Sequence, residues 1–160
     1  MIDNKPTHAG MKPMTGLELQ AARRAAADRF YQIGMSYVPE GYTVKFRKRL
    51  TGVAYGGKIR RIEAPRPVTR KSLYVFLHEC AHAHLHFDGP KLPVHVKELQ
   101  AEKWAHSKMR EHGIPVPRSM TESAKAYVAR KIDRAEKRGA KSIDREAQRF
   151  ASSRKMKTSH

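Results

Sequence analysis

The stretch His78-Glu79-Cys80-Ala81-His82 constrains this chain more than any other feature. Two histidines four residues apart sit one above the other when the segment is helical. Imidazoles placed that way can close on a single zinc ion at about 2.0–2.1 Å. The glutamate between them faces the water held there, where a carboxylate can act as general base. The motif therefore asks for a helix, and for a second element that completes the ligand set.

The surrounding residues agree with a helix over 72–86. Leu73, Leu77, Ala81 and Leu85 recur every four residues and make an apolar stripe. His78 and His82 fall on the neighbouring stripe, at the edge of the buried face. Gly89-Pro90 is a stop signal. Cys80 is the single cysteine, so no intramolecular disulfide can form. It reads as a small buried helix residue rather than a reactive thiol.

A catalytic zinc takes three protein ligands and keeps one position open. A second helix is expected over 94–112, carrying Glu98 and Glu102 one turn apart on one face. Glu98 is the favoured third ligand, with Glu102 hydrogen-bonded to a ligand histidine from behind; the reverse assignment stays open. His86 lies eight residues past His78, about 12 Å along a straight helix, too far for both to reach one ion. It reads as a polar helix-end residue. Asp88 stands six residues after His82, but Leu85 occupies the place where a glycine would let the chain turn. His84 should point away from the metal.

These pieces resemble the ImmA/IrrE-type metallopeptidases and the related zincin domains of mobile-element anti-restriction proteins. Three segments carry the resemblance: His78 to His82; Lys97-Glu98-Leu-Gln-Ala101-Glu-Lys-Trp104-Ala105; and the strand-like run ending in Ile59-Arg-Arg-Ile62-Glu-Ala-Pro65. It covers roughly residues 41–112, and the chain departs from the pattern after Ala105. The resemblance implies a small α+β zincin-like fold and Glu98 as the zinc ligand, in a gluzincin-like hydrolase.

Charge is the second strong feature. The 160 residues carry 33 Lys/Arg against 15 Asp/Glu, a net +18. Such a balance implies attraction to polyanions, nucleic acid foremost. Residues 107–160 hold 15 basic against 6 acidic groups, half of the excess in a third of the chain. The expected nucleic-acid contacts are therefore Lys125, Arg130, Lys131, Arg134, Lys137 and Arg138. No apolar run is long enough to cross a membrane, and the polar start has no signal core, so a cytoplasmic protein is expected.

Along the chain, 1–15 is expected to be flexible. A helix over 16–34 should bury Leu17, Leu19, Ala22, Ala26, Phe30 and Ile33. Three antiparallel strands are expected over 42–46, 50–55 and 58–63, with Gly56-Gly57 as a hairpin signal. Lys58, Ile59, Arg60, Arg61 and Ile62 are then the candidate edge strand for backbone pairing with substrate. The metallopeptidase core spans 16–112, followed by a linker at 113–118. A basic helical hairpin over 119–152 is expected to pack on the core, opened by a capping box at Ser119–Glu122 and recapped by Ser142; its Ile143, Ala147 and Phe150 should face inward. Residues 153–160 are expected to be disordered. Tyr127 reads as a core tyrosine rather than a donor across the cleft.

The expectation from all of this is a zinc-dependent metallopeptidase acting on proteins associated with nucleic acid or with phage or plasmid regulation. The alternative is a DNA-binding anti-restriction or regulatory module on the same scaffold, with little proteolysis.

Overall fold

A computed structural model of the chain describes residue 10 and residues 12–153. The expected flexible start and disordered end fall largely outside the described residues. The elements run α1 (Gly16–Ser36), β1 (Thr43–Arg47), β2 (Val53–Tyr55), β3 (Arg61–Pro65), α2 (Arg70–Leu85), α3 (Val94–Glu111), α4 (Arg118–Lys137) and α5 (Arg145–Ser152). The class is α+β, with five helices and one three-stranded sheet.

Helix α2 is the centre of the molecule. Thr69 opens it with a reciprocal cap: its side chain accepts from the Ser72 amide, and the Ser72 hydroxyl accepts from the Thr69 amide. From there Leu73, Phe76, Leu77, Cys80 and Ala81 are all fully buried. A helix apolar on several sides must be covered on several sides. The sheet covers one: Ile62 and Ala64 pack with Phe76 and Cys80. The end of α1 and helix α3 cover another, where Ile33, Leu73, Leu77, Ala105 and Met109 meet. Leu85, at the end of the expected stripe, is 44 % exposed.

The sheet corrects the sequence reading. Its order is β1-β3-β2, with β1 parallel to β3 and β2 antiparallel to it, so it is mixed rather than antiparallel. The Gly56-Gly57 turn does join an antiparallel pair, β2 and β3. But β3 carries the most deeply buried residues and takes the middle, which leaves β1 only its parallel side. Lys58 and Ile59 lie in the turn, and Arg61 and Ile62 lie on the central strand. A strand paired on both sides has no free edge, so Arg61 and Ile62 form no edge for backbone pairing, and Arg60 lies between the turn and that strand; β1 and β2 are the two edge strands.

Four further expectations change. The first half of α1 does not bury its stripe: Leu17 and Leu19 are 79 % and 44 % exposed, and burial begins near Phe30 and Ile33. Residues 113–117 are no loose linker, since Ile114 is buried in the α1–α2–α3 cluster. Helix α4 starts at Arg118 behind Pro117 with no side-chain cap, not with the expected box, and Asp144 rather than Ser142 caps α5. The two helices pack on α3 through Leu99, Val128, Ile132 and Ala147, with Ile143 and Phe150 against them.

Candidate metal centre

The α2–α3 interface builds the site. Ala101 and Ala105 are fully buried on α3, and their small side chains let the two helices approach closely. Glu98 and Glu102 consequently reach across to α2. Glu98 Oε2 lies 3.1 Å from His78 Nε2 and 3.6 Å from His82 Nε2, and the two Nε2 atoms are 3.0 Å apart. His78, His82 and Glu98 are thus close enough together to hold a metal ion. A tetrahedral centre with bonds of about 2.0–2.1 Å needs donor–donor separations of about 3.3 Å. The three measured edges bracket that value, so the donor set fits a zinc-sized ion.

The groups behind the donors fix their direction. Glu102 Oε1 sits 2.7 Å from His78 Nδ1, on the side of the ring away from Glu98. The pair lacks straight hydrogen-bond alignment, and both His78 Nδ1 and Glu102 Oε2 are buried without another partner. His82 Nδ1 lies 2.8 Å from His86 Nδ1, and His86 Nε2 lies 2.9 Å from Gln100 Oε1. An amide oxygen only accepts, so His86 carries its proton on Nε2. Its Nδ1 then accepts from His82 Nδ1–H, which leaves His82 Nε2 bare and aimed at Glu98. Burial, which lowers the pKa of His86, keeps that ring neutral. His86 is therefore a helix cap, as expected, but one whose ring orients a donor.

The carboxyls divide by environment. Burial alone would raise Glu98, but the two imidazoles beside it, His78 first and His82 after it, hold it well below the usual range once they carry a proton on the ring nitrogen that faces it. Burial pushes Glu102 up to about 8. Burial also pushes Glu79 up to about 7, against His82; Glu98 adds to the rise and Arg47 opposes it. A carboxyl balanced there can take and return a proton near neutral pH. Cys80, on the buried side of α2, has its thiol pushed up by burial and then by Glu79, as expected of an inert core residue.

A cleft of about 670 Å³ opens on the donors. Residues 50–54, including β2, form one wall, and Met120, Ala124, Tyr127 and Arg130 of α4 form the other. Gly52 lies so close to Glu79 that a Cβ there would stand 2.5 Å from its Cγ and 2.8 Å from Oε1. Tyr127 is 37 % exposed on the cleft wall rather than in the core, with Lys131 4.8 Å and Arg130 5.5 Å from its ring centre. A second hollow, about 540 Å³, opens on the far side of Glu102 toward Phe150 and contains none of the three donors. His84 points away, as expected: it stacks on Trp104 and meets the Tyr37 carbonyl at 2.7 Å.

Five of the six expected nucleic-acid residues, Arg130, Lys131, Arg134, Lys137 and Arg138, follow one another at spacings of three and four along one side of α4, and Lys125 lies apart. Arg130 lines the cleft, Lys131 lies over Tyr127, and Lys125 is held by Glu122 and the Ser153 carbonyl. Lys137 pairs with Asp133 at 2.8 Å, while Arg134 and Arg138 remain exposed near the end of α4.

Compared with known proteins, the chain matches no family model, no curated protein and no solved structure. Among the described residues no helix is long and apolar enough to cross a membrane.

Proposed function

We propose that this chain is a zinc-dependent metallopeptidase of the ImmA/IrrE kind. The observation that carries the reading is the convergence of His78, His82 and Glu98 from two helices, with Glu79 beside them and a cleft in front. A bound zinc ion would supply Lewis acidity, making water acidic and drawing electron density from a carbonyl. The rest falls to the chain. Glu79 takes the proton of the attacking water and delivers it to the leaving amine. Glu102 and the His86–Gln100 pair hold the two imidazoles in register. The free edge of β2 pairs with an extended peptide backbone, and the Tyr127 hydroxyl faces it from the other wall.

The test separates binding from chemistry. Metal analysis of the purified chain should give about one zinc per chain. Glu79→Gln should keep that metal and lose cleavage of a casein or peptide-library substrate. A wild type that binds no stoichiometric metal sinks the reading, as does one that cleaves nothing in a broad screen.

The net charge of +18 favours a second reading, a DNA-binding anti-restriction or regulatory module with little proteolysis. It requires salt-sensitive DNA binding that survives Glu79→Gln, with no cleavage by the wild type. The preference for the first comes from the carboxyls, because polyanion binding alone gives no cause to bury Glu79 and Glu102, and half-bury Glu98, beside two histidines.

A further inference from the structure

Basic charge in this protein has a second centre besides the C-terminal helices. Residues 45–71 hold ten Lys/Arg and a single carboxylate, Glu63. The other residues of 1–106 hold eight basic and eight acidic groups, which cancel. Half of the net +18 therefore sits in one sixth of the chain. Residues 118–153 have ten basic groups too, but five acidic ones, and several of those are paired.

The fold gathers part of this charge on one face. Side chains alternate along a strand. Val44, Ala54, Ile62 and Ala64 turn inward to α2. The residues between them, Lys45, Arg47, Arg61, Glu63 and Tyr55, therefore share the outer face. Helix α2 covers the inner face, and among the described residues no helix packs on the outer one. Glu63 lies in the middle, held by Arg47 at 2.8 Å, Arg61 at 3.3 Å and Lys45 at 3.7 Å. One carboxylate against three cations leaves the centre of the face positive. Exposed Lys48 and Arg49 extend it at one end, and exposed Lys58 and Arg60 at the other. The Arg61 guanidinium lies over the Tyr55 ring, 5.1 Å from its centre.

We propose that this outer sheet face, with the loop of residues 48–52, binds a single strand of nucleic acid. Five residues of strand span about 16 Å. A fully stacked strand advances about 3.4 Å per phosphate and an extended one more, so at most about five phosphates lie along that row. The Tyr55–Arg61 stack offers a base a flat partner that tolerates any sequence. The loop makes the site relevant to the cleft: Lys48 and Arg49 lead directly into Leu50, Thr51 and Gly52, which form its wall. A strand held here would keep whatever protein is bound to it at the mouth of the cleft. The inference does not depend on the peptidase reading, because it uses none of the metal donors.

The experiment measures fluorescence anisotropy of a labelled 20-nucleotide single-stranded DNA with the full chain, across a salt series. The variant Lys45→Ala/Lys48→Ala/Arg49→Ala/Lys58→Ala should bind at least about tenfold more weakly. Its slope of log affinity against log salt should be shallower by about three, at about 0.7 per lost phosphate contact. An unchanged circular dichroism spectrum and thermal midpoint show that it is folded. The variant Arg134→Ala/Lys137→Ala/Arg138→Ala should stay within about twofold of wild type. The proposal is overturned if the helix variant loses binding and the sheet variant keeps it. It is equally overturned if the wild type shows no salt-dependent binding, or if it sediments with phosphatidylserine vesicles while ignoring the oligonucleotide.

Discussion

His82 can offer Nε2 to a cation only if its proton sits on Nδ1, and that proton needs an acceptor. His86 Nδ1 is that acceptor, at 2.8 Å, and Gln100 sets the tautomer of His86 from the next helix. Replacing His86 with alanine should therefore weaken metal binding by about 10–100-fold without removing a ligand. Competition against a chromophoric chelator measures this, and an unaltered affinity would strip His86 of the role. His86 is too far along the helix from His78 to share an ion with it, yet it is only four residues from His82. The i, i+4 rule that brings His78 beside His82 equally brings His82 beside His86. The sequence thus contained the signal for three neighbouring rings, although the role of the third depends on Gln100.

At the scale of elements, Gly52 ties the loop before β2 to α2. The space a Cβ would need is filled by Glu79. Gly52→Ala should push that carboxylate aside, cutting peptide turnover at least about tenfold while leaving zinc content intact. Equal turnover would mean the loop yields instead. Helix positions were legible in the residues because long periodic segments fix their own faces. The expected ranges 72–86 and 94–112 differ from α2 and α3 by no more than two residues at either end. Strand order was not legible. Alternation shows which way a side chain points but not which strand lies beside it. The hairpin signal at Gly56-Gly57 correctly joins β2 to β3, yet nothing local records that β1 returns to the far side of β3. The exposed half of α1 fails for a related reason: Leu17 and Leu19 are apolar, but among the described residues no neighbour covers them.

For the molecule as a whole, the donors come from two helices, so a bound ion links α2 to α3. An ion that binds only the folded chain stabilises it by about 2.7 kcal/mol at a hundred times its dissociation constant. Chelation should therefore lower the thermal midpoint by roughly 5–10 °C in scanning calorimetry. A midpoint indifferent to chelator would mean that no ion joins the helices. Charge distribution is also a whole-molecule property. Along the sequence the last third of the chain is densely basic, which points to the C-terminal helices. Folding instead brings Lys45 and Arg61 onto adjacent strands, where one glutamate cannot neutralise both.

The second wall of the cleft comes from α4, which lies later in the chain than every donor. A polypeptide ending at Glu111 would keep both histidines and all three glutamates, yet would present them on an open shelf. Nothing would stand opposite β2 to grip a ligand or shut out bulk solvent. If the chain acts as proposed, ribosomes emit the ion-binding residues before α4, and activity arrives only with the final third of translation. Premature stops and C-terminal clipping should accordingly uncouple holding the ion from using it.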